Sequence, residues 1–330
     1  MVARPSTAVL LRRLRGQTPA LRRRTESFVT SRYTTASYLT SCRSCSRSFS
    51  TNSGSSPNPQ SSSDPNFTTV SPDEVSHFNA LASSWWDPHG PSRILHLMNP
   101  LRHDFIRMCH NSVLDAAPPP TTGLTYLDIG CGGGIFAESA ARLPGTKSVT
   151  AIDPSPEVLN IARGHARRDP SLRHKLQYLN TPIEQLTATI SKQSPQSQSQ
   201  EQSQPQYDVV SVFEVLEHVS NPAQFLDQCA PFVKPGGWLV MSTIARTWMS
   251  WFTTNLMAED VLRIVPRGTH DWQKYVNEEE LRGHFMAGRS GQWTEPRCMG
   301  VIYIPGVGWR EVRGSEKVGN YFFAVRKTGE

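Results

Sequence analysis

Glu214, Glu217 and His218 stand at i, i+3 and i+4, so a helical turn would bring two carboxylates and an imidazole onto one face. Such a set could hold a divalent ion, or the imidazole could take a proton from an acidic hydroxyl. The plainer alternative is that Glu217 and His218 hydrogen-bond within the fold. Magnesium prefers oxygen ligands, which makes histidine an uncommon partner for it.

A second constellation lies upstream. Asp128 precedes Gly130, Gly132 and Gly134 in the run DIGCGGG, directly after an apolar run and before a helical pattern. Glycine there lets the backbone turn tightly and come close to a ligand. The next apolar run ends in Asp153, nineteen residues after Gly134, where a carboxylate can accept both hydroxyls of a ribose. A nicotinamide site and an S-adenosylmethionine site share these features. Two observations favour the second. Asp128 sits where a cationic methionine moiety would be held, whereas a dinucleotide needs room there for pyrophosphate. Further on, Val233 to Gly237 reads VKPGG and resembles the turn before the fifth strand of class I methyltransferases. Thr181, Pro182 and Ile183 are candidates to line an adenine.

The elements that must position these residues alternate. LTYLDIG, SVTAID, HKLQYLN, YDVVSVF and GGWLVMSTI read as strands, with IFAESAARL, PEVLNIARGHARR and AQFLDQCAPFV as helices between them. That order predicts a mostly parallel α/β sheet with helices on both faces. CMGVIYI and NYFFAVRK, with Pro and Gly between, read as an antiparallel hairpin closing it. Ordered structure is expected from Asp73 to Trp86, and a second helix after Pro100 carries Leu101, Phe105, Ile106 and Met108. The Gln/Ser-rich stretch between Thr187 and Gln206 reads as an inserted surface loop. The domain is expected over residues 71–330, with that insertion at 187–206.

The charge of +6 does not mark a nucleic-acid binder. Residues 1–63 hold ten Arg, no Lys and a single acid, Glu26, so this stretch carries +9 and the remainder −3. Its Arg/Ser/Thr bias, with Leu10, Leu11, Leu14 and Leu21 among the arginines, is that of a mitochondrial presequence over residues 1–49. A matrix-protease site is expected near Arg47 and Phe49. The alternative is a basic tail with another partner. Residues 50–70 read as a disordered linker. Cys109, Cys131, Cys229 and Cys298 lack zinc or redox spacing, which suits a reducing matrix. No run reaches the ~18 apolar residues of a membrane span. Trp248, Met249, Trp251, Phe252, Leu256 and Met257 instead form an aromatic-rich amphipathic stretch suited to a lipid interface or to a lid.

Five segments carry a closer likeness: FNALASSWWD from Phe78, HLMNPLR ending in Arg102, LDIGCGGG ending in Gly134, FEVLEH from Phe213 to His218, and RGTHDW from Arg267. Together they resemble the ubiquinone biosynthesis O-methyltransferase family, mitochondrial branch, over about residues 75–285. The resemblance implies a Rossmann-like class I methyltransferase fold with S-adenosyl-L-methionine as methyl donor. It implies cofactor contacts from Arg102, Gly130, Asp153 and Phe213, beside Asp128 and Gly132. It also implies Mg²⁺ on Glu214, Glu217 and His218, chelating a polyprenylated catechol, with Glu214 and His218 catalytic and His218 either ligand or base. A multi-subunit ubiquinone-synthesis complex, peripheral on the matrix side of the mitochondrial inner membrane, is implied as the setting. His270 is a second candidate on the acceptor side. Another small-molecule methyltransferase, or a cofactor-binding scaffold without turnover, are the competing readings.

Overall fold

The computed structural model describes residues 68–113, 123–193, 204–246, 275–287, 292–294 and 296–329. Eight strands form one sheet: β1 Leu124–Ile129, β2 Thr146–Asp153, β3 Leu176–Asn180, β4 Tyr207–Phe213, β5 Val233–Ile244, β6 Arg297–Ile304, β7 Gly308–Glu311 and β8 Asn320–Arg326. Their order is β3-β2-β1-β4-β5-β8-β6-β7. The first five run parallel, and β8 enters antiparallel between β5 and β6. The closing antiparallel pair expected from CMGVIYI and NYFFAVRK is therefore present, with β7 added at the edge of β6.

Period-two alternation builds a core on each face. Val210, Val212, Leu239 and Met241 belong to one cluster, and their neighbours Val209, Phe213, Trp238 and Val240 to the other. Helices α5 (Leu186–Gln193), α6 (Pro222–Cys229) and α7 (Glu278–Ala287) pack on the first face through Leu186, Phe225 and Phe285. Helices α2 (Arg93–Asn111) and α3 (Ile135–Arg142) pack on the second through Phe105 and Phe136. Helix α4 (Pro156–Ala166) lies against β2 and β3, and α1 (Pro72–Leu81) leads the described chain. Strand order reverses at β1, flanked by β2 and β4, and a crevice opens there at the carboxyl ends of the strands.

Three boundaries differ from expectation. Helix α2 begins at Arg93 rather than after Pro100, and Pro100 lies inside it. An internal proline costs about 3 kcal/mol. The buried face of Met98, Arg102, Phe105, Ile106 and Cys109 spans the proline and outweighs that cost. The loop expected from Thr187 is helical up to Gln193, because buried Leu186 and packed Ile190 anchor α5. Contacts also begin before residue 71: Thr69 is buried, and Val70 bridges Val219. The expected presequence, the Gln/Ser tract from 194 to 203, the expected amphipathic stretch and the segment with His270 lie outside the described residues. Among the described residues no helix is long and apolar enough to cross a membrane.

Candidate active site at the carboxyl ends of the strands

The chain leaves β1 in a left-handed turn, with φ of +68° at Gly130 and +52° at Gly132. A Cβ on Gly130 would stand 2.5 Å from Val215 Cγ2, and one on Gly132 would stand 2.6 Å from Trp85 Cζ2. Two walls of the site therefore rest directly on this backbone. The turn is held from β2. Asp153 accepts the Gly132 N–H at 2.9 Å through one oxygen and the Ser155 N–H at 2.9 Å through the other. Burial raises its pKa against these bonds, and each oxygen keeps a lone pair for a further donor.

A cavity of about 250 Å³ opens over this turn and is bordered by Arg102, Asp128, Gly130, Gly132, Asp153, Phe213, Glu214, Glu217 and His218, while Gly134 lies outside its lining. Asp128 is 3% exposed and accepts the Ser211 hydroxyl at 2.7 Å. Burial pushes its carboxyl up to about 7, only partly offset by Ser211 and Arg102. Arg102 is 5% exposed on α2, with its guanidinium carbon 4.9 Å from the centre of the Phe213 ring. Desolvation lowers its pKa against the charges of Glu214 and Asp128, and its Nε has no hydrogen-bond partner. A buried, unpaired donor of this kind has the chemistry to meet a ligand carboxylate. Thr181, Pro182 and Ile183 border the same cavity.

The cluster after β4 does not form the expected helical face. Glu214 has φ of +56°, and only Leu216–His218 make a short 3-10 turn, so the i, i+3, i+4 spacing no longer aligns the three side chains. Each is engaged elsewhere. Ser242 Oγ donates to Glu214 Oε1 at 2.6 Å, and Thr243 Oγ1 donates to Glu217 Oε2 at 3.0 Å. His218 Nδ1 lies 2.9 Å from Glu74 Oε2 on α1. Burial, then Glu214, raises the pKa of Glu217. Burial pulls the His218 pKa down, but Glu74 and the charges of Glu217 and Glu214 outweigh it and leave it raised. Among the described residues no three His, Cys, Asp or Glu side chains are grouped to hold a metal ion. The three residues line the same cavity, and in this arrangement they are not grouped as the magnesium ligands that the likeness implied.

Sequence reasoning missed the cap. Trp85 packs on Gly132 and Gly133, and its indole N–H is buried without a partner. Trp86 donates from Nε1 to the Gly133 carbonyl at 2.9 Å and stacks on His165 with ring centres 3.4 Å apart. His165 in turn meets Glu138, which is fully buried and paired with Arg142. The aromatic pair was visible, but its partners lie far along the chain.

A mostly parallel sheet with its switch point at β1, a glycine turn after β1 and an acid ending β2 fit a class I methyltransferase, and the antiparallel β8 beside β5 completes the sheet expected of one. In agreement, residues 101–287 match the family model described as a methyltransferase domain. The chain is 39% identical to the mitochondrial ubiquinone biosynthesis O-methyltransferase of Candida albicans, over 79% of this chain and 86% of that one. It is 36% identical to the protein of that name from Saccharomyces cerevisiae, over 79% and 89%. To the ubiquinone biosynthesis O-methyltransferase of Caulobacter vibrioides it is 40% identical, over 78% and 95%. The chain belongs to the ubiquinone biosynthesis O-methyltransferase family.

Proposed function

We propose that this protein methylates a catechol hydroxyl of polyprenylated intermediates in ubiquinone synthesis, with S-adenosylmethionine as donor. The observation that carries the reading is one cavity lined by buried Arg102 and Asp128 together with Asp153 and His218. Arg102 suits a methionine carboxylate, Asp128 an ammonium, and Asp153 the two ribose hydroxyls. Bound there, the cofactor supplies a methyl group on a sulfonium, open to in-line displacement. The protein must then align an oxygen nucleophile and take its proton. His218 Nε2 is the group assigned that proton. Phe78, Trp85 and Phe213 form apolar walls that exclude competing water.

Glu214 Oε1, Glu217 Oε2 and His218 Nδ1 pair with Ser242, Thr243 and Glu74, so a divalent ion there would have to be held by the remaining oxygens and by Nε2. Mitochondrial import through residues 1–49, peripheral contact with the inner membrane through the stretch from Trp248, and membership of a ubiquinone-synthesis complex belong to the same proposal. They are supported by the Arg-rich leader, the amphipathic pattern and the names of the fungal relatives.

The test incubates purified protein with S-adenosylmethionine and a polyprenyl dihydroxybenzoate, with non-catechol phenols in parallel. Methyl ether formed on the catechol alone is expected. Methylation of the other acceptors instead would favour a different small-molecule methyltransferase, and cofactor binding with no product on any acceptor would favour a scaffold.

A further inference from the structure

We propose that Trp86, which lies outside the cofactor cavity, is a positioning residue for cofactor binding: anchored on His165 and Gly133, it holds the neighbouring Trp85 over the glycine turn. The inference rests on that turn belonging to the S-adenosylmethionine site. Two consecutive tryptophans divide the work here. Trp85 borders the cavity, whereas Trp86 and His165 do not.

Trp85 lies so close to the turn that a Cβ on Gly132 or Gly133 would stand 2.6 Å from its ring. Its indole N–H has no hydrogen-bond partner, so the side chain has no polar bond to keep it there. What fixes it must come through the backbone. The Trp85 carbonyl lies 2.8 Å from His96 Nε2, and the next residue along the chain is the more firmly held of the pair.

Trp86 donates from Nε1 to the Gly133 carbonyl at 2.9 Å, which ties the cap to the turn that Trp85 covers. Its ring stacks on His165 with centres 3.4 Å apart and planes 5° apart, and His96 meets it edge-on at 4.9 Å. His165 is itself held: its Nδ1 lies 2.9 Å from Oε1 of Glu138, and Arg142 Nη2 donates to Oε2 of the same carboxylate at 2.8 Å. Glu138 is fully buried, and a buried carboxylate keeps its charge only where such partners meet it. It sits in the first turn of α3, the helix that the glycine turn opens, and its N–H donates to the Gly134 carbonyl. Turn and cap are therefore fastened to the same two helices, α3 and α4, before any ligand arrives. Such preorganisation raises affinity by removing the ordering that binding would otherwise require.

The test is calorimetric titration of S-adenosylhomocysteine into the full chain, with urea unfolding of the ligand-free proteins alongside. Trp86→Phe, which keeps a ring on His165 and loses the N–H, should weaken binding about 3- to 10-fold, the range for one lost hydrogen bond. His165→Ala, which removes the stack, should weaken it by a similar factor of about 3 to 10. In a Trp85→Ala background neither substitution should cost further affinity, because the anchor acts through Trp85. Wild-type affinity in both variants would overturn the proposal, even if their urea midpoints fall, since Trp86 would then serve stability alone. An equal loss with and without Trp85 would overturn it too. If His165→Ala fails to fold, Trp86→Phe decides, weakened binding counting for the proposal and wild-type binding against it. Failure of the wild-type chain itself to bind S-adenosylhomocysteine would instead remove the cofactor site on which the inference stands.

Discussion

The guanidinium of Arg102 lies over the face of the Phe213 ring, 4.9 Å from its centre, joining helix α2 to the end of β4 where both line the cavity. Phe213 holds the charge in place by cation–π attraction and leaves the Nε donor unpaired. A ligand carboxylate would complete that arginine. Arg102→Ala should weaken S-adenosylhomocysteine binding about 10- to 100-fold, as expected for lost hydrogen bonds to a charged group. Affinity for methylthioadenosine, which lacks the amino-acid end, should change little. Calorimetry with the two ligands measures the difference.

Gly132 carries φ of +52° and supports the Trp85 ring. Gly132→Ala should destabilise the protein by about 1–3 kcal/mol, combining left-handed strain with displacement of the indole. Trp85→Ala removes the clash. The double variant should therefore lose less stability in urea than the sum of the two single variants.

Asp128 gives a pH dependence of defined sign. Its carboxyl rises from 3.8 when unfolded to about 7 when folded, mainly through burial. Its contribution to stability is full below the unfolded value and is lost as pH rises through about 7. The ligand-free enzyme should thus gain stability from Asp128→Asn more at about pH 8 than at about pH 6. Cofactor binding uses the ionised form, so wild-type affinity for S-adenosylhomocysteine should rise over that interval. The Asn variant should bind weakly with a flat profile.

The parts of the site legible in the sequence were those fixed by local backbone chemistry. Gly130 and Gly132 announce a turn that only glycine makes easily, and Asp153 ends β2 where the parallel sheet must place it. Strands β4 and β5 showed as continuous apolar runs because both their faces are covered. What misled was spacing read without the backbone. Glu214 to His218 has the intervals of a helix, yet the left-handed Glu214 turns the chain and sends its carboxylate to Ser242. Pro100 looked like a helix start, but burial on both sides of it carried α2 through. Glu74 gave no signal, since its partner is 144 residues away and only the folded chain brings the two together.

The stretch from Trp248 to Met257 bears on the lipid-borne substrate. If it lies in a membrane interface, the full chain should float with anionic liposomes. Trp251→Glu should reduce the bound fraction severalfold by placing a charge on the apolar face. Equal flotation of the two proteins would remove this stretch as the membrane contact.

The most direct test of the central claim, a cavity at the strand ends built for an adenosyl amino acid, is calorimetric titration of S-adenosylhomocysteine into the folded protein. One molecule per chain is expected, with a Kd on the order of micromolar, or about −8 kcal/mol. No saturable binding to correctly folded protein, by heat or by a shift in melting temperature, would contradict the cofactor site and the methyl-transfer function built on it.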